Sequence, residues 1–223
     1  MTGMTCLALW AAAFVGTHFL LSHPLRAPLV QRIGERGFQG LYSLVAFVTL
    51  GGMIWVYRGL GEQTPLWVAG EALWILATLL MWLGSILFVG SLFGNPALPG
   101  AKLQRGAKPS GVFAITRHPM MWGFATWAIV HLIVVATPKA LILDAAILFL
   151  ALAGSVGQDR KKAKRMGERF HEWSAQTAFV PFARGVANPG AVALAGGTLL
   201  FLVATWAHGP LGGMPAGFWR WIG

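Results

Sequence analysis

Long stretches without Asp, Glu, Lys or Arg constrain this chain more than any motif does. They cover residues 1–25, 37–57, 72–101, 118–138, 145–158 and 185–219. A transmembrane helix needs about 20 apolar residues. Five of the stretches reach that length, and the remaining one, 145–158, does so by extending back to Lys139 across Asp144. We predict six transmembrane helices, near residues 4–22, 38–57, 72–93, 120–137, 139–157 and 190–208.

The composition agrees with that prediction. Of the 223 residues, 56% are hydrophobic and only 11% are charged, whereas a soluble domain has about 25% charged residues. We therefore expect an all-α, polytopic membrane helix bundle. No internal repeat or domain boundary is evident, so the bundle is expected to be a single domain over residues 1–223.

The distribution of basic residues predicts the orientation of the bundle. The predicted loops at 23–37, 94–119 and 158–189 hold three, four and seven of them, fourteen of the chain's 17, while Arg58, Lys139 and Arg220 lie on the other side. Basic loops are retained in the cytoplasm, so both termini are predicted to be outside. The net charge of +10 is thus explained by topology, and we expect no nucleic-acid partner.

Features at the N-terminus favour a bacterial inner-membrane protein. The sequence begins without a basic region or an evident cleavage site, so a removed signal peptide is not expected. The single cysteine, Cys6, excludes an internal disulfide bond.

The stretch from Ser110 to His131 joins a basic loop to an apolar span. Arg117 and His118 precede Pro119, which is expected in the first turn of a helix. His131 follows His118 by thirteen residues, about 20 Å along a helix. These two histidines therefore cannot bind one metal ion from the same helix.

His18 and His131 are the candidate ligands within apolar helices. Ionisable residues inside a span suggest function, and neutral imidazole binds haem iron. His18 and His131 can converge from two sides of a bundle, which is how helix bundles build haem sites, with Arg117 and His118 near the cofactor but not bound to its iron. Arg117 or Lys108 could then neutralise the haem propionates. The alternative without a ligand is that His18 and His131 are structural histidines of the core, each hydrogen-bonded to a helix carbonyl.

The predicted depths of these histidines differ. His131 is expected near the membrane midplane and His18 closer to the cytoplasm, at a depth that His118 matches better. Asp144 is interpreted as reaching the outer interface.

Residues 159–176 form the second informative stretch. Cations precede Met166, Phe170 and Trp173, which recur at helical spacing. This pattern predicts an amphipathic cytoplasmic helix on anionic lipid.

Several short motifs, in order along nearly the whole chain, resemble the NnrU family, which includes the 15-cis-zeta-carotene isomerase. They are Thr-His at 17–18, Gly-Glu-Arg at 34–36, Thr-Arg-His-Pro at 116–119, Ala-Ile-Val-His at 128–131, Asp-Arg at 159–160, Gly-Glu at 167–168, Val-Pro-Phe-Ala at 180–183 and Ala-His at 207–208.

The resemblance implies haem b bound by His18 and His131, and cis–trans isomerisation of an apolar polyene such as a carotenoid. Where the isomerase has a cysteine proposed as an alternative iron ligand, this chain has Ala128. The resemblance also implies a link between bacterial members and nitrogen-oxide metabolism.

A second, weaker resemblance is to the isoprenylcysteine carboxyl methyltransferase superfamily. It rests on Arg117-His118-Pro119, on Gly-Glu-Arg-Phe at 167–170 and on Val-Pro-Phe at 180–182. It implies an S-adenosylmethionine site at the cytoplasmic face. That pattern has an aromatic residue where this chain has Met121. A third alternative is a non-enzymatic haem-binding or membrane-assembly protein.

Overall fold

The computed structural model describes residues 2–94 and 106–222, and this part of the chain contains helices without strands. The helices are α1 (Gly3–Ser22), α2 (Arg26–Gly59), α3 (Glu71–Gly90), α4 (Val112–Ile115), α5 (Pro119–Val134), α6 (Pro138–Met166), α7 (Glu168–Gln176), α8 (Ala191–Ala207) and α9 (Trp219–Ile222). The predicted all-α class is confirmed. Lys102 and Arg105 of the predicted second basic loop lie outside the described residues.

Four of the described helices are long and apolar enough to cross a membrane, namely α1, α2, α3 and α6. The other two predicted spans correspond to α5 and α8, which have 16 and 17 residues. Large apolar side chains on the long helices are exposed, for example Phe47 at 75% and Trp55 at 78%. Such an outward-facing apolar surface is typical of a protein surrounded by lipid.

The chain forms two compact units. The first comprises the residues up to Val68 together with Val135–Leu150, and the second comprises Ala69–Val134 and the residues from Ala151 on. In the first unit α1 packs on α2, and a Cβ atom at Gly52 would lie 2.6 Å from the indole of Trp10. Gly52 therefore permits the close packing of α1 and α2. The long α2 is interrupted at Gly34, whose φ of 72° is outside the helical region.

In the second unit α3 packs against both α5 and α8. A Cβ atom at Gly197 of α8 would lie 2.5 Å from the Cα atom of Ile86 in α3, so these two backbones touch. At the other end of α3, Arg220 of α9 forms an ion pair of 2.8 Å with Glu71. Contacts near both ends of α3 thereby join it to α8 and α9.

The stretch from 159 to 176 differs from a single surface helix. Its first part continues α6 to Met166, Gly167 has a φ of 54°, and α7 follows. The expectation that Phe170 and Trp173 face lipid was wrong, because these side chains are only 5% and 8% exposed and belong to the core of the second unit. The backbone turn at Gly167 directs the apolar face of α7 inward. That core also contains Ile86, Leu87, Val112, Phe113, Ile115 and Ala193.

Two positions along the helices also differ from expectation. His131 lies in the last turn of α5 rather than near its middle, because α5 ends at Val134. Asp144 was expected to reach the outer interface, but its exposure is 2%, and it is close enough to Tyr57 of α2 to interact electrostatically. Pro119 begins α5 as predicted.

Candidate functional site

Three histidines at helix ends share one hydrogen-bonding pattern. The Nδ1 atom of each lies near the carbonyl oxygen four residues earlier: 2.6 Å for His18 and Phe14, 2.8 Å for His131 and Trp127, and 2.9 Å for His208 and Ala204. A carbonyl oxygen only accepts, so Nδ1 carries the proton and Nε2 keeps its lone pair. Each imidazole is therefore held in the tautomer that can bind a metal through Nε2.

His18 is half-buried among aromatic rings of the first unit. The ring of Phe14 is 4.4 Å away, edge-on, and the ring of Tyr42 from α2 is 5.3 Å away. The Tyr42 hydroxyl also interacts with Ser22 at the end of α1. These contacts fix the imidazole on the α2 side of α1.

His131 is half-buried in the second unit, and its ring lies against the ring of Trp127 at 4.1 Å. The second neighbour is His208, the residue that directly follows α8, with ring centroids 6.3 Å apart and ring planes inclined by 25°. Sequence reasoning gave His208 no role. Its signal was available: a histidine at the apolar end of α8, like His131 in α5.

Arg117 and His118 form a second cluster at the start of α5. Asp159 of α6 accepts hydrogen bonds from both, at 2.8 Å from Arg117 Nε to Oδ2 and 2.8 Å from His118 Nε2 to Oδ1. The guanidinium group also lies over the ring of Phe179, at 5.3 Å, and donates to the carbonyl of Thr177. The predicted propionate partner, Arg117, is thus already paired with a carboxylate.

Burial dominates the protonation of His118, whose exposure is 3%. Loss of hydration lowers the pKa of His118 below the ordinary histidine value, while the hydrogen bond and negative charge of Asp159 act in the opposite direction. The neutral ring with its proton on Nε2 donates to the carboxylate. Nε2 of His118 is therefore occupied by the hydrogen bond to Asp159.

The segment that follows α7 is attached to this cluster through its backbone. Arg117 donates its backbone N–H to Ala178, and the hydroxyl of Thr116 and the indole N–H of Trp122 both donate to the carbonyl of Phe179. Phe182 in turn donates to Ile115. These bonds join the end of α4, the start of α5 and the segment after α7 into one polar junction.

The predicted site residues are thus distributed over three places. Arg117 and His118 meet at Asp159, His131 meets His208, and His18 lies in the first unit. Among the described residues there is no cluster of three or more His, Cys, Asp or Glu side chains that could hold a bare metal ion.

Comparison with protein families gives a match to the model of the NnrU protein family over residues 6–216. The chain belongs to the NnrU family. All three helix-end histidines and the junction at Asp159 lie within the matched region. No solved structure matches the chain.

This NnrU chain is also similar to two curated plant proteins. It is 27% identical over 158 residues to the chloroplastic 15-cis-zeta-carotene isomerase of Arabidopsis thaliana, which is 68% of this chain and 42% of the relative. It is 31% identical over 74 residues to the enzyme of the same name from Zea mays, 33% of this chain and 20% of the relative. The alignments thus span less than half the length of either relative.

Proposed function

We propose that this NnrU protein is a membrane haem-b protein that isomerises a double bond in an apolar polyene, such as a carotenoid. The observation that carries the proposal is the shared tautomer of the intramembrane histidines. Each directs its proton to its own helix and keeps the Nε2 lone pair for a ligand position. The names of the plant relatives supply the reaction class.

In this proposal His131 binds the haem iron, with His18 as the second ligand that the family resemblance offers. Bound haem would supply the iron centre that assists rotation about the double bond. The hydrogen bond from His131 to Trp127 orients the imidazole and raises its basicity as a ligand. The apolar surfaces of the helices would hold the polyene without hydrogen bonds, and because isomerisation leaves composition unchanged, the site needs no second substrate.

The setting that we propose is a bacterial inner membrane, although the plant relatives are chloroplastic by name. Lipid then surrounds the exposed apolar helix surfaces and delivers an equally apolar substrate. The residues of the Asp159 junction, by contrast, hold helix ends together. We assign these residues a structural role in the bundle, since their polar groups form hydrogen bonds with one another.

Two measurements on the purified full chain test the proposal. Protein expressed with a supply of haem precursor should show a Soret band, and it should convert a 15-cis polyene into the trans isomer, followed by chromatography. His131→Ala should lose the band or the reaction. His171→Ala, an exposed histidine of α7, is the matched control and should keep both.

The other outcomes are equally informative. A colourless protein that binds S-adenosylmethionine would replace this proposal with the methyltransferase alternative. A Soret band without isomerisation would support a non-enzymatic haem protein, or a different NnrU activity such as one in nitrogen-oxide metabolism.

A further inference from the structure

On the predicted cytoplasmic side of the second unit, positive charge far exceeds negative charge. The predicted loops at 94–119 and 158–189 hold eleven Lys and Arg residues but only three acidic ones, Asp159, Glu168 and Glu172. Residues 95–105, which lie outside the described residues, contain no Asp or Glu. The positive-inside rule explains why cations are abundant here, but it would be satisfied equally well if every one of them were exposed.

Lys162 is not an exposed cation. Its side chain is half-buried, and it follows Ser155 of α6 by seven residues, about two helical turns, so the two lie on one face. Ser155 is 1% exposed, and Ala151, about one turn before it, is 3% exposed. Lys162 therefore continues the buried face of α6, where a charge without a partner is unfavourable.

The surroundings of Lys162 leave its charge uncompensated. In the described part of the chain Lys162 forms no hydrogen bond or ion pair. Asp159, three residues earlier, is close enough to attract the ammonium group, whereas Arg117 and Lys161 are close enough to repel it. Both oxygens of Asp159 already accept hydrogen bonds of 2.8 Å, one from Arg117 and one from His118. Three cations around one carboxylate leave an excess of two positive charges.

Arg117 contributes a further unused donor to the same place. Its Nε atom donates to Asp159 and its Nη1 atom to the carbonyl of Thr177, while Nη2 has no partner among the described residues. The side chain is 17% exposed, so a ligand can reach it. We propose that Lys162 and Arg117 bind the phosphate group of an anionic ligand at the predicted cytoplasmic face.

The chemistry of the two side chains favours phosphate over a simple anion. A guanidinium group donates several N–H groups to phosphate oxygens, and an ammonium group adds a compact point charge. A phosphate monoester carries a charge of about −1.5 to −2 at pH 7, which matches the excess of positive charge, whereas chloride would balance half of it. Inorganic phosphate and the headgroup of an anionic lipid share this chemistry.

The test measures the melting temperature of the full-length protein in neutral detergent micelles, with and without inorganic phosphate. Sodium chloride at equal ionic strength is the reference. Lys162→Met keeps the apolar stem of the side chain and removes its charge. Lys164→Met is the matched control, because Lys164 is exposed and lies about 200° round the helix from Lys162.

Phosphate at about ten times its dissociation constant should raise the melting temperature of the native protein and of Lys164→Met by about 3–6 °C. The rise should be absent from Lys162→Met. Without phosphate, Lys162→Met should melt no lower than the native protein, because the substitution removes a repulsion. A lower melting temperature would show that Lys162 already has a partner in the folded chain and would overturn the proposal.

A second series replaces inorganic phosphate with micelles that contain phosphatidic acid, with phosphatidylcholine as the reference lipid. A rise that depends on Lys162 in this series alone identifies a lipid headgroup as the ligand, and a rise with inorganic phosphate identifies a soluble one. Equal rises in both variants would indicate a diffuse basic surface and reject the site. No rise with either probe, or a response that depends on Lys162 only with S-adenosylmethionine, would also overturn the proposal. None of these measurements requires haem, so they stand apart from the tests of the proposed function.

Discussion

At His118, burial and a neighbouring carboxylate act on the same ring in opposite directions. Burial is the larger effect, so the pKa of this histidine is lowered although Asp159 lies at hydrogen-bond distance. The ring is thus a neutral donor within a junction that also contains the Arg117 cation. Protonation would add a further cation to a site where Arg117 and Lys162 already surround one carboxylate.

The lowered pKa of His118 predicts a loss of stability in mild acid. The unfolded chain takes up a proton near the ordinary value of 6.5, and the folded chain does so only at lower pH. The titration of His118 therefore leaves the free energy of unfolding unchanged above pH 6.5. As the pH falls below 6.5, the free energy of unfolding decreases by up to about 1.4 kcal/mol per pH unit. His118→Gln keeps an N–H donor for Asp159 but cannot titrate. Between about pH 7.5 and about pH 5.5 its melting temperature should fall less than that of the native protein.

The matched control is His171→Gln, in which an exposed histidine of α7 is changed. Its pH dependence should follow that of the native protein. An identical slope in His118→Gln and in the native protein would show that His118 does not couple stability to pH.

At the scale of the element, neighbouring glycines in α2 have different surroundings. A Cβ atom at Gly52 would lie within 2.7 Å of three indole atoms of Trp10. A Cβ atom at Gly51 would have no other atom within 4 Å. Gly52→Ala should separate α1 from α2 and lower the free energy of unfolding by about 1–3 kcal/mol. Gly51→Ala has the same chemistry without the contact and should be neutral or slightly stabilising, because alanine favours helix.

Unfolding of both glycine variants in mixed detergent micelles measures the difference. Equal effects at the two positions would mean that the helix contact at Trp10 is absent in the membrane-inserted protein.

The helices themselves could be predicted because each depends on about 20 neighbouring residues and their lack of charge. The start of α5 at Pro119 is equally local. The pairing of Asp159 with Arg117 and His118 spans 42 and 41 positions, and no local pattern indicates it. The inward face of α7 was misread for a related reason: an apolar stripe at helical spacing fits a lipid surface and a protein core equally well.

The candidate site was predictable only in part. The apolar surroundings of His131 marked it as a functional residue, but the choice of a partner depends on which helix ends meet. In the sequence His208 precedes a predicted turn. A solvent-exposed histidine at such a position loses little hydration free energy, so nothing in the sequence indicated a partner. Only the packing of α5 and α8 on the same helix, α3, gave that residue a neighbour.

At the scale of the whole molecule, the asymmetric distribution of basic residues predicts a membrane topology with six spans. Reporter fusions can test whether the two short helices, α5 and α8, cross the membrane. Fusions of alkaline phosphatase should be active after Arg58 and at the C-terminus, and fusions of green fluorescent protein should be fluorescent at Lys108 and Arg184. These internal positions are exposed, so a fusion there leaves the helix contacts intact. The paired reporter at each position is the control, since one is active only outside and the other only inside.

The fusion at Arg184 identifies which helix fails if the prediction is wrong. The helices α5 and α8, with 16 and 17 residues, are shorter than the usual span of about 20 residues. If α8 does not cross, the C-terminus becomes cytoplasmic while Arg184 stays cytoplasmic. If α5 does not cross, Arg184 moves outside and the C-terminus again becomes cytoplasmic. A cytoplasmic C-terminus therefore rejects the six-span topology in either case. Only in the first case does α5 still cross the membrane, which is what places His131 toward the outer side.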